Sequence, residues 1–192
     1  IWATSFENNI FKISDEGFTN WNKTNSALAY TFFRSVFVDE NETVKAGNFD
    51  LWEYQDQKWE KNTAFENDGN LIDVIAKDSK QREWIGTAKY LYKFDGTSYV
   101  PFEDNSGERL EGIRSIKELK SGELAISTAG FGLVILGTDT LFRYINKEEG
   151  LSSNLIRDFY ESSNDTAWVV SEDRGLNRIV HYQYRDIKKI EY

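Results

Sequence analysis

Cysteine and methionine are absent from the 192-residue sequence, and proline and histidine occur once each. Without Cys there is no disulfide, no thiolate nucleophile and no Cys-ligated metal, although the compartment stays open. One His excludes a multi-His metal centre within a single chain. No apolar run approaches the roughly 20 residues of a membrane-spanning helix; the longest are stretches such as Leu133-Val134-Ile135-Leu136. There is no initiating Met and no basic n-region leading into an apolar h-region. Positive charge is also scarce, with 23 Lys and Arg against 32 Asp and Glu and a net charge of −9. Nucleic acid and anionic membrane surfaces are therefore not expected partners, because affinity for phosphate rests mainly on clustered Lys and Arg. No glycine-rich phosphate loop of the GxGxxG or GxxxxGK type is present.

What the chain does have is aromatic side chains: 13 Phe, 10 Tyr and 6 Trp. That much buriable surface is incompatible with a solvated, disordered chain. The aromatics are also periodic. Trp84-Ile85-Gly86-Thr87 is echoed by Trp168-Val169-Val170-Ser171 and Trp2-Ala3-Thr4, with degenerate copies at Val44-Lys45-Ala46-Gly47 and Ala125-Ile126-Ser127-Thr128. The starts at 2, 44, 84, 125 and 168 give steps of 42, 40, 41 and 43 residues. Seven or eight positions after each start a second run opens, at Ile10, Leu51, Leu91, Leu133 and Leu176. A β-rich segment precedes every start but the first, and a fourth run centres on Trp21, Trp59, Tyr99, Phe142 and Ile187. Asp95-Gly96 between two such runs is a hairpin signal.

Each unit thus reads as four short strands, A to D, and no segment sustains the 3.6-residue period of a long helix. Four antiparallel strands in about 40 residues is the pattern of a β-propeller blade. The expected fold is all-β, a propeller of about five four-stranded blades, in repeat units 1–27, 28–68, 69–110, 111–151 and 152–192 of one region, 1–192. The chain opens at strand B of its first unit, so that unit lacks its innermost strand. The expectation is an arc of a larger propeller, belonging to a longer protein. The competing arrangement is a β-sandwich.

The Gly-His and Trp-Asp dipeptides of WD-type repeats and the paired glycines of kelch repeats are missing. Instead, Gly150-Leu151-Ser152-Ser153-Asn154-Leu155-Ile156, then Trp168-Val169-Val170-Ser171, then Gly175-Leu176-Asn177-Arg178, resembles the two-component regulator propeller repeat. That repeat builds extracytoplasmic ligand-binding sensor regions of hybrid two-component histidine kinases. The last unit matches throughout. In the unit around Trp84, Tyr90 replaces the usual Gly, and Asn9 stands at that place in the first unit. In packing terms, the strand-B Trp faces the neighbouring blade, the small residue after it permits close approach, and Gly175 suits a positive φ. Asn154 and the serines before it suit a tight link between blades.

The chemistry-bearing constellations are weak. His181 lies in an expected turn beside Tyr182 and has the character of a surface residue. Asp104-Asn105-Ser106-Gly107-Glu108 and Asp39-Glu40-Asn41-Glu42 do not fit the calcium-loop spacing. Asn22-Lys23-Thr24, Asn41-Glu42-Thr43 and Asn164-Asp165-Thr166 are glycosylation sequons of the sort an Asn-rich chain accumulates. No catalytic residue, metal site or cofactor is assigned.

Ligands of propellers meet the face carrying the D-to-A and B-to-C links. Here those links include Phe6 to Asn9, Asn25-Ser26, Asn67-Asp68 and Ser152 to Asn154. The candidate binding residues are Lys89, Tyr90, Phe131, Asn154, Glu172, Asp173 and Arg174. Aromatics mixed with amides and charges suit a sugar, whose C–H face stacks while its hydroxyls take fixed hydrogen bonds.

The resemblance implies a non-enzymatic periplasmic or extracellular input domain of a membrane-anchored sensor. It would bind a ligand such as an oligosaccharide and work as a homodimer in the full-length protein. Two alternatives remain. One is a propeller glycoside hydrolase or lyase, for which strand A offers Asp73, Glu118 and Asp158 with Arg114 and Arg157 among them; two such acids facing each other about 5–9 Å apart in an open pocket would favour it. The other is a protein-interaction platform.

Overall fold

Among the described residues, the apolar runs and their separating turns become nineteen strands, with no helix. The computed structural model describes residues 1–5, 9–30, 32–66, 68–162, 166–180 and 189–191. His181, Ile187, Asn67 and the segment 6–8 lie outside them, as does most of the sequon at Asn164.

The strands form five separate antiparallel sheets. The first is β1 (Trp2–Ser5), β2 (Asn9–Ser14) and β3 (Gly17–Trp21); the second is β4 (Ser35–Val38), β5 (Val44–Gly47), β6 (Leu51–Gln55) and β7 (Lys58–Lys61). The third is β8 (Ile72–Lys77), β9 (Glu83–Thr87), β10 (Leu91–Phe94) and β11 (Tyr99–Pro101). The fourth is β12 (Ile113–Glu118), β13 (Leu124–Thr128), β14 (Leu133–Leu136) and β15 (Phe142–Ile145). The fifth is β16 (Ile156–Glu161), β17 (Thr166–Ser171), β18 (Leu176–Val180) and β19 (Lys189–Glu191). Strand order follows chain order in every sheet, so each is a meander whose edges are its first and last strands.

The first strands of successive sheets touch in order, β1 to β4, β4 to β8, β8 to β12 and β12 to β16. This is the radial arrangement of propeller blades, with the first blade carrying three strands. The fold is all-β and fits an arc of a propeller. Among the described residues β1 pairs only with β2 and β19 only with β18, so no ladder closes the ends within one blade.

The core lies in the seams between blades. Each of four apolar clusters draws on two neighbouring sheets. Ile10 joins Leu28, Val44 and Trp59 across the first seam. Leu51 joins Ile72 and Ile85 across the second, Trp84 joins Ile113 and Ile126 across the third, and Ile135 joins Phe159 and Val169 across the fourth. Trp84 is buried against the next blade, as its place on β9 predicts. Gly86 makes that contact possible: a Cβ there would run into Cγ2 of Ile113, and one on Gly47 would lie 2.5 Å from Cγ2 of Ile72. Gly175 takes a φ of +79°, at the turn into β18. Asp95 and Gly96 open a four-residue loop between β10 and β11, in which Asp95 Oδ1 accepts hydrogen bonds from the amides of Thr97 and Ser98.

Candidate functional site: a charged central channel

Four apolar residues, Phe33, Ile72, Ile113 and Ile156, anchor the starts of the innermost strands, and all four are buried. The residue after each is charged: Arg34, Asp73, Arg114 and Arg157. In three sheets this residue is a β-bulge. The ladder passes from Ile72 to Val74, from Ile113 to Ser115 and from Ile156 to Asp158, leaving Asp73, Arg114 and Arg157 unpaired. A bulge re-aims its side chain out of the pleat. Here it turns the three toward the axis, where they line a cavity of about 440 Å³ with Arg34, Glu172 and the β1 residues Thr4 and Ser5. Every blade contributes to that lining, the second through Phe33 and Arg34 just ahead of β4.

Asp73 is the hub. Its carboxylate accepts from Arg34 at 2.6 Å and from Arg114 at 3.0 Å, and its side chain is only 6% exposed. Arg114 also gives its Nε–H to Glu172 at 3.1 Å, reaching from the fourth blade to the β17–β18 link of the fifth. Arg157 is exposed and has no hydrogen-bond or ion-pair partner among the described residues. Among the described residues, three guanidinium groups against two carboxylates make the lining net positive, in a chain whose overall charge is −9.

Of the seven residues singled out from the sequence, the cavity takes in Glu172 alone. Lys89 and Tyr90 sit together on the β9–β10 link, where the Lys89 ammonium lies 4.9 Å from the Tyr90 ring centroid and Arg109 packs over the same ring at 5.6 Å. Phe131 is exposed and packs on Tyr144 at 6.3 Å. The Tyr144 hydroxyl donates to Glu108, and burial together with the Glu108 charge pushes its pKa up to about 12. Asn154 is tied to the scaffold: its side-chain oxygen accepts from the Lys147 amide, and its carbonyl from those of Gly130 and Gly132. Asp173 and Arg174 pair with each other at 3.7 Å on the exposed link.

Sequence reasoning passed over Arg34. The available signal was its spacing, because 34, 73, 114 and 157 repeat the blade period one residue after an apolar anchor.

Of the three strand-A acids, the cavity takes in Asp73 alone. Asp73 is held by two arginines, Glu118 accepts from the amide and hydroxyl of Ser79, and Asp158 pairs with Lys117 at 2.8 Å. Within the cavity, Arg114 stands between Asp73 and Glu172 as the partner of both. Among the described residues there is no group of three or more Asp, Glu or His placed to hold a metal ion. The acidic loop at Asp104 is structural. Its carboxylate accepts from the amides of Ser106, Glu108 and Phe142 and from the Ser106 hydroxyl.

No protein-family model and no curated protein sequence matches the chain. Solved structures do. The extracellular domain of a hybrid two-component system from B. thetaiotaomicron superposes with a TM-score of 0.75 at 24% identity, over 94% of this chain and 25% of that one. A second extracellular domain from the same organism, ascribed to a one-component system, gives 0.73 at 18% identity over 92% of this chain and 25% of that one. Virginiamycin B lyase from Staphylococcus aureus gives 0.64 at 13% identity, over 96% and 62%. The chain spans about a quarter of the length of the two extracellular domains. These likenesses establish the propeller fold.

Proposed function

We propose that the chain is part of the non-enzymatic, extracytoplasmic input region of a membrane-anchored two-component sensor, with the channel face as its ligand site. The observation that carries this reading is a solvated cavity to which every blade contributes a side chain. A ligand seated there touches several blades at once and favours whichever relative arrangement of them fits it best. That differential affinity is the whole physical content of a sensor signal. The likeness to extracellular domains of signalling systems supports the same assignment, as does a repeat pattern resembling that of sensor propellers. An oligosaccharide remains the proposed ligand, and dimerisation of the full-length protein the proposed route to the output.

The virginiamycin B lyase likeness keeps an enzymatic reading in view. The ion pairs weigh against it, because an acid that donates a proton or attacks a sugar needs to be free of a guanidinium clamp. A thermal-shift screen against a glycan panel tests the proposal. A true ligand at 100 times its Kd stabilises by about 2.7 kcal/mol, and chromatography should recover it unchanged. Recovery of a cleaved product would replace the sensor reading with the enzymatic one.

A further inference from the structure

We infer that the channel selects an anionic ligand, a small molecule bearing a carboxylate, sulfate or phosphate group, and that Arg157 is the residue that captures it. The inference rests on the channel being the ligand site and adds the chemistry of what enters.

The charge arrangement carries it. Asp73 is buried and shared by two guanidinium groups, so it serves as an internal counter-ion that fixes Arg34 and Arg114 in place. Glu172 is more exposed and occupies one edge of Arg114. Arg157 projects into the same space with no anion among the described residues. A guanidinium fork matches a planar carboxylate or a tetrahedral oxyanion with two parallel hydrogen bonds. The bulge on β16 aims this fork inward while leaving the strand's ladder intact on either side.

The chain's overall negative charge does not oppose this. Screening at physiological salt extends over only about 8 Å, so the field in the channel is set by the groups that line it. A volume of about 440 Å³ accommodates more than a bare ion; it is within the range of small-molecule sites. The hydroxyl-bearing Thr4 on β1 lines the same cavity and offers a hydrogen bond to the rest of the molecule.

Glu172 then acts as a resident competitor. A ligand carboxylate that approaches Arg114 must displace it, so its removal strengthens binding while removal of Arg157 weakens it. Two substitutions in one cavity with opposite effects are hard to obtain from a merely structural disturbance.

The test is isothermal titration of the 192-residue chain with galacturonate, glucose 6-phosphate and N-acetylglucosamine 6-sulfate. Neutral galactose, glucose and N-acetylglucosamine are run beside them, with inorganic phosphate and sulfate as the simplest probes. At least one acidic probe should bind more tightly than its neutral counterpart and weaken as salt rises. Arg157→Ala should reduce that affinity by about tenfold or more, the loss of one charge-assisted pair, with the melting temperature of the free protein unchanged. Glu172→Gln should raise it several-fold. If inorganic ions satisfy the site as well as the sugar acids do, the ligand is the free ion.

Equal binding by the Arg157→Ala protein would mean an adventitious ion only and overturn the inference. Neutral sugars binding as well as acidic ones would overturn it too, while leaving the sensor reading in place. If no probe of either kind binds, the inference falls, and the sensor reading is decided by the glycan screen.

Discussion

Gly86 shows how much a single absent atom decides. Its missing Cβ is what lets Ile113 of the next blade seat against β9. Gly86→Ala should therefore cost about 2 kcal/mol by overpacking, read as a shift of the denaturant midpoint at unchanged slope. Asp104 makes a second prediction at this scale. Burial pushes its carboxyl pKa up, but hydrogen bonds from the Ser106 hydroxyl and from the amides of Phe142, Glu108 and Ser106 outweigh that and hold it down at about 2. A depressed carboxylate contributes stability that is full above its unfolded pKa of about 4 and disappears as pH falls through its folded pKa. The loss should therefore fall between about pH 4 and pH 2, and acid titration of the melting temperature should show a shallower decline there for Asp104→Asn. At neutral pH the same substitution should cost about 2 kcal/mol, because it weakens the link between Asp104 and the amide of Phe142 on β15.

Between elements, polar contacts bolt neighbouring blades together alongside the apolar seams. Lys45 on β5 is buried, and its ammonium lies 2.5 Å from Glu83 on β9. Desolvation favours the neutral form of Glu83, but the hydrogen bonds from Lys45 and from the Tyr99 hydroxyl prevail and lower its pKa. Breaking such a pair strands the remaining charge, so Lys45→Ala should cost about 3 kcal/mol. A double-mutant cycle with Glu83→Gln should return a clear coupling energy between two residues on different blades.

The elements themselves were readable in advance. The strand-B starts at 2, 44, 84, 125 and 168 fall in or at the head of β1, β5, β9, β13 and β17; Val44, Trp84 and Ala125 are buried between blades, and Trp2 and Trp168 in the first and last sheets are half-buried. The channel was less readable. Asp73, Arg114 and Arg157 stand out as strand residues, but strict alternation does not reveal that each is a bulge aimed at the axis. Arg34 escaped because it precedes its strand, and its role depends on Asp73 39 residues away. Link residues such as Lys89 and Phe131 are on the surface, where composition alone cannot separate a lining position from a rim position.

Across the whole molecule, four seams joining five sheets make stability a matter between neighbours, as in other repeat proteins. The seams are unequal. Every residue of β13 and β14 is buried, whereas the first sheet leaves Ile13 and Phe18 largely exposed. Hydrogen exchange should accordingly be slowest in β13 and β14 and fastest in β2 and β3, a gradient along the chain rather than one uniform protection level.

The bulges carry a consequence for how such a molecule is retuned. A residue outside the ladder can change its chemistry without disturbing the strand pairing on either side, and equivalent places here already hold both an aspartate and arginines. The frame and its lining are thereby separable, so new selectivity can be written into the pore one position at a time while the surrounding architecture goes on folding as before.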